Sequence, residues 1–144
     1  MTTAAPDSAI AAKITNSFAA QSMMASLGAS LHSFGPGRCE IHAPILPGFL
    51  QQHGFGHAGL TFSLGDSAAG YAALTLMPLD GEVLTAEIKI NLLAPARGDI
   101  LIARGTVIKP GRRLIVVQSE VFVVDAGQQT RIALLQGTMV PVDP

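Results

Sequence analysis

Charge is scarce in this sequence. Asp, Glu, Lys and Arg together make up 13% of the residues, and nine cations against ten anions leave a formal net charge of -1. No broad basic surface for a polymeric anion can be built from that, so nucleic acid is excluded as a partner. Cysteine is scarcer still: Cys39 stands alone. It cannot close an internal disulfide and is expected to act as a small buried hydrophobe. No stretch free of Gly, Pro and polar residues is long enough to span a bilayer, and the first residues lack the basic start and continuous apolar run of a secretory signal. The expectation is a soluble, cytoplasmic protein with no membrane partner.

What is present is apolar. Hydrophobic residues make up 49% of 144 positions, too many for a disordered chain and enough for one core, so a single domain over residues 1–144 is expected. Ile10, Ile14 and Phe18 recur at helical spacing behind the cap candidates Asp7 and Ser8, and Gly28 ends the pattern, which predicts an amphipathic helix over about 7–27. Gly35-Pro36-Gly37 marks a turn, residues 38–43 a short strand, and Pro47 and Gly48 an extended loop over 44–52. Residues 58–75 read as a helix whose ionisable residues are Asp66 and Tyr71 alone. With almost no polar face, and with Gly65 and Gly70 each costing about 1 kcal/mol of propensity, such a helix must be held by elements wrapped around it.

The period then changes to two. In residues 83–93 Leu84, Ala86, Ile88, Ile90 and Leu92 alternate with polar positions, and further strands are expected over 99–108, 114–125 and 129–140. Their short connections predict consecutive antiparallel hairpins. One buried helix with such a meander has a simple layer solution, an α+β fold in which a curved antiparallel sheet wraps the helix.

Asp66 is the most informative residue. A carboxylate on an apolar helix is costly unless paired, hydrogen-bonded or placed at a functional opening, and the adjacent turns offer no Lys or Arg. An exposed helix edge, or bonds to Ser63 and Ser67, are the plain alternatives. The second feature is His57-Ala58-Gly59, where a Gly-rich segment enters the helix. The N–H groups of a first helical turn lack intrahelical partners and can polarise a carbonyl.

The spacing of Gln51, Gly54, His57-Ala58-Gly59 and Asp66 resembles that of the PaaI-like hotdog thioesterases. The resemblance extends over residues 86–96, over Lys109-Pro110-Gly111-Arg112-Arg113-Leu114 and to Gly137-Thr138, with Ala58 where the family pattern has Gly. It implies a hotdog fold and hydrolysis of an acyl-CoA thioester, with Asp66 as nucleophile or general base and the Ala58 N–H as oxyanion donor. Gln51 would orient the thioester carbonyl and Thr85 would position water. His57 and Gly59 would shape the substrate-binding helix entry, and Arg112 and Arg113 would meet CoA phosphates or form a solvated hairpin. No metal and no cofactor is implied, CoA being part of the substrate. The acyl group, aromatic or aliphatic, stays open, with Phe49, Phe55, Phe62 and Tyr71 as candidate lining.

Other readings are weaker. Gly54-Phe55-Gly56-His57-Ala58-Gly59 matches GxGxxG but lacks the preceding strand of a dinucleotide fold. His53 and His57 are four apart, but with glycines between them and no HExxH glutamate. No GxSxG elbow is present. A non-catalytic acyl-CoA-binding hotdog would leave Asp66 without work, a hotdog hydratase would want a His beyond His57, and a pure interaction module would not explain Asp66 at all. One spacing bears on assembly: Ala58 and Asp66, eight residues apart, are separated by roughly 12 Å along a helix. If both serve one reaction, two chains must share each site, so a homo-oligomer, a dimer or a dimer of dimers, is expected.

Overall fold

The central helix organises the structure, a computed structural model that describes residues 5–143. This helix, α3 (Ala58–Leu74), buries Leu60, Leu64, Ala68 and Ala72 at i, i+4 spacing. Two shorter helices, α1 (Ser8–Ala20) and α2 (Ser22–Ser26), precede it. The strands are β1 (Ser30–Gly35), β2 (Arg38–Pro44), β3 (Glu82–Leu92), β4 (Ile100–Pro110), β5 (Ile115–Asp125) and β6 (Gln128–Val142). They form one antiparallel sheet in the order β1-β2-β4-β5-β6-β3, packed around α3. The α+β hotdog architecture is therefore as expected.

Small residues set how closely helix and sheet approach. A Cβ at Gly105 of β4 would overlap the Ala68 carbonyl of α3, and one at Gly65 would meet the Leu135 methyls at 2.8 Å. Gly65, which weakens helix propensity, thus allows close contact with β6, and dispersion across the interface compensates for it.

Four expectations need correction. The N-terminal helix breaks at Gln21, whose backbone is extended (φ -78°, ψ 100°). No Pro or Gly causes this: the Gln21 amide nitrogen donates to the Tyr71 hydroxyl at 2.9 Å, a tertiary bond that the break accommodates. Strand β1, rich in Ser, His and Gly, gives little β-propensity signal and pairs with β2 through the Gly35-Pro36-Gly37 turn. Of the four strands after α3, only β4, β5 and β6 are joined as consecutive hairpins. Strand β3 pairs with β6 at the far end of the sheet, and the 93–99 connection crosses over so that Ala96 bonds Gly56 at the entry to α3.

The fourth correction concerns β3 itself. Its register shifts between Thr85 and Glu87, so Ala86 is an inserted residue and the facing parity switches there. Val83 packs on the core before the bulge and Ile88 and Ile90 after it, while Leu84, expected to be inward, is 62% exposed. Without the extra residue Thr85 would share the outward face of Glu87 and Lys89.

Candidate active site

α3 is wrapped on most sides but not all. Gly59, Phe62, Ser63, Asp66, Ser67 and Gly70 form a stripe at i, i+3 and i, i+4 spacing that stays exposed or half-buried. Asp66 is on this stripe, half-buried rather than enclosed, so the plain reading of an open helix edge is right about its position. Its bonding is not that of a solvated edge. Ser63 donates to the Gly59 carbonyl at 2.7 Å, whereas Thr85 Oγ1 donates to Asp66 Oδ1 at 2.8 Å. Thr85 Oγ1 also lies 3.3 Å from Met139 Sδ, but a hydroxyl has one proton and the carboxylate is the stronger acceptor. Oδ2 forms no hydrogen bond among the described residues.

Asp66 and Thr85 open into a cavity of about 280 Å³ that also touches Ser17, Gln21, Tyr71 and Met139. Ser17, one helical turn before Gln21, lies 3.2 Å from the Tyr71 hydroxyl, so two polar residues of the N-terminal segment hold that phenol. Burial, partly offset by these two hydrogen bonds, pushes the Tyr71 pKa up and keeps the phenol neutral. Neither Ser17 nor Gln21 stands out in the sequence, although polar residues four apart beside Ile14 and Phe18 are a signal for a polar contact.

The helix entry is built separately. His57 caps α3: its Nδ1 accepts from the Gly59 N–H at 2.8 Å, and its own N–H bonds Phe49 O at 2.9 Å. The Gly59 donor is thereby used. The Ala58 N–H, at the first helical position, has no partner among the described residues. Gln51 Oε1 accepts from the His53 N–H and, at 3.4 Å, from the Phe55 N–H. Backbone N–H groups only donate, so the amide oxygen must face them and the NH2 of Gln51 points outward as a donor. Gln51 and Ala58 line a second cavity of about 480 Å³ with Phe55, Thr61 and the 92–96 crossover.

Within one chain the four residues with expected catalytic roles therefore fall into two groups. Asp66 and Thr85 share one cavity, and Gln51 and Ala58 share another. His57 and Gly59 line a third opening with Phe49, Phe62 and Leu60. Arg112 and Arg113 are exposed in the β4–β5 turn, Arg112 beside Leu76, Met77 and Pro78 beyond the other end of α3. The GxGxxG stretch runs from a loop into α3 with no strand leading directly into it, and Cys39 is a buried thiol whose pKa is pushed up to about 12, chiefly by burial. No helix among the described residues is long and apolar enough to cross a membrane.

Residues 53–129, just over half of the chain, match the family model described as Thioesterase superfamily. The chain belongs to the thioesterase superfamily. Among solved structures, this thioesterase-superfamily chain is similar to a thioesterase family protein from Silicibacter pomeroyi, with 41% identity and a TM-score of 0.92 over 94% of this chain and 99% of that one. It shares its fold with the PaaI protein of E. coli, from the phenylacetic acid degradation operon, at 24% identity and a TM-score of 0.83 over 93% and 94% of the two chains. A protein of Deinococcus radiodurans that carries an esterase name is 31% identical over 78% of this chain and 74% of its own length. The matched segments span 59% and 40% of two esterase-named relatives from Saccharolobus solfataricus.

Proposed function

We propose that this protein hydrolyses acyl-CoA thioesters to free acid and CoA, with Asp66 as the reacting carboxylate. The observation that carries the reading is the state of Asp66: one oxygen is fixed by Thr85, the other is unbonded, and the group faces a cavity instead of a cation. A structural aspartate on a helix edge needs no hydroxyl from a bulged strand. Oδ2 either takes a proton from water as it attacks the thioester carbon or attacks that carbon itself, giving a mixed anhydride that water opens. In both routes the C–S bond breaks and CoA leaves as thiolate.

The oxyanion needs donors, and Ala58 and Gln51 offer two unused ones. They line a different cavity of the same chain, so the proposed site forms between two copies, α3 antiparallel to its partner about a two-fold axis. Two features support that assembly. The open α3 stripe carries Gly59, Ser63 and Gly70, which permit close approach, and among the described residues β3 is an end strand with β6 as its one neighbour. Leu84 and Leu92 add exposed apolar area along the same end strand.

Hydrolysis of a panel of aliphatic and aromatic acyl-CoAs, read as released thiol, tests the reaction and identifies the acyl group. Asp66→Asn keeps size and polarity and is expected to lower turnover at least about a hundredfold with the fold retained. Near-normal turnover in that variant would remove Asp66 from the chemistry.

A further inference from the structure

On the face of the sheet turned away from α3, the edge of the molecule carries a cluster with no part in thioester chemistry. In β2 the core takes Cys39, Ile41 and Ala43, which sends Glu40 and His42 to the outer face together. The β1–β2 register shifts between Leu31 and Ser33, so His32 is an inserted residue, and its ring stacks on that of His42 at 4.0 Å with 10° between planes. His42 Nε2 lies 2.6 Å and His32 Nε2 3.9 Å from the same oxygen, Glu40 Oε1.

From this arrangement we infer that His32, Glu40 and His42 bind a divalent transition-metal ion of the zinc class. Their candidate ligand atoms lie within 4.8 Å of one another. Bonds of about 2.0–2.1 Å in a tetrahedral site place ligand atoms roughly 3.3 Å apart, between the two separations observed here. The adjustment falls on His32, whose side chain is 55% exposed and free to turn its ring out of the stack. Coordination through Nε2 requires each neutral imidazole to carry its proton on Nδ1, so the bond from His42 to Glu40 is exchanged for two bonds to the metal. Two imidazoles and one carboxylate are a zinc ligand set that leaves the fourth position to water.

Arg104 is the evident objection, being a cation close to the proposed ion. Its Nε donates to the other oxygen, Glu40 Oε2, at 3.0 Å, its Nη2 reaches Gln129 Oε1 at 3.3 Å, and its guanidinium lies 4.8 Å above the Phe122 ring. The guanidinium is thus held on the far side of the carboxylate and fixes Oε1 toward the two imidazoles. An outer partner of this kind orients a ligating carboxylate. Among the described residues strand β1 has β2 as its only neighbour, and the ion would clamp this edge to the sheet.

The test uses the full chain, stripped with chelator, near neutral pH. Zinc sulfate is titrated by calorimetry, bound metal is counted by elemental analysis after desalting, and thermal unfolding is followed with and without zinc. One zinc per chain and a raised Tm are expected. His32→Ala, an exposed substitution that leaves the core untouched, and Glu40→Gln should each weaken binding by at least about tenfold, and His53→Ala should not. Absence of zinc binding to the wild type, or His32→Ala binding with unchanged affinity, would overturn the assignment. Because the readouts are binding and stability, failure here leaves the proposed thioesterase activity untouched.

Discussion

Thr85 reaches Asp66 because β3 contains one residue too many. The bulge at Ala86 turns Thr85 toward α3, where its hydroxyl donates to Oδ1 at 2.8 Å across 19 positions of sequence. If that bond holds the carboxylate for reaction, Thr85→Val, which keeps the β-branched shape and removes the hydroxyl, should lower kcat by about tenfold or more with little change in KM. Thr85→Ser should recover most of the loss. Steady-state kinetics of the two variants check this, and equal kcat in Val and Ser variants would contradict it.

The Ala58 N–H can be removed without breaking the helix. Ala58 is the first helical residue, where proline fits, and His57 before it has φ -64° and ψ 144°, the extended conformation that a following proline requires. Ala58→Pro is expected to fold, by circular dichroism, and to lose at least about a hundredfold in turnover, whereas Ala58→Gly should stay active. A folded and fully active Pro variant would exclude the N–H from catalysis.

Arg112 and Arg113 have the least support from packing. If they meet CoA phosphates, changing both to Ala should raise KM for acyl-CoA far more than for a pantetheine thioester and should flatten the salt dependence of kcat/KM. Equal effects on both substrates would leave the turn as a solvated basic hairpin.

Gly105 tests the packing beneath the site. A methyl there would overlap the Ala68 carbonyl, and since the obstacle is helix backbone, α3 itself must shift. Gly105→Ala is expected to destabilise the fold by about 1–3 kcal/mol or more, read as a lower denaturant midpoint. An unchanged midpoint would mean that the helix does not press on β4 there.

Local signals made most of the architecture legible. The apolar run of α3, its entry at His57 and the turn around Gly37 announce themselves in composition and spacing. What failed to show was decided at a distance. Gln21 leaves helical conformation for a bond to Tyr71, 50 positions away, and β3 pairs with β6 instead of β4, its crossover running past Gly56. The bulge at Ala86 is invisible in a sequence that alternates so regularly, and it alone explains why Thr85 and not Leu84 faces the helix. In the candidate site, spacing pointed to Asp66 and Ala58, and the 12 Å implied between them agrees with their falling into separate cavities. The group formed by Ser17, Gln21 and Tyr71 needed the fold to assemble it, as did the pairing of His32 with Glu40 and His42.

If each site is made by two chains, mixing defective subunits should restore it. Asp66→Ala chains lack the carboxylate, and Gln51→Ala chains lack the outward amide beside Ala58. Unfolded together in equal amounts and refolded, they should give heterodimers as about half of all dimers, each with one site intact and one lacking both groups. Thioester hydrolysis by the mixture is expected to rise well above that of either parent refolded alone. Heterodimers confirmed by mass with no recovered activity would contradict the shared site.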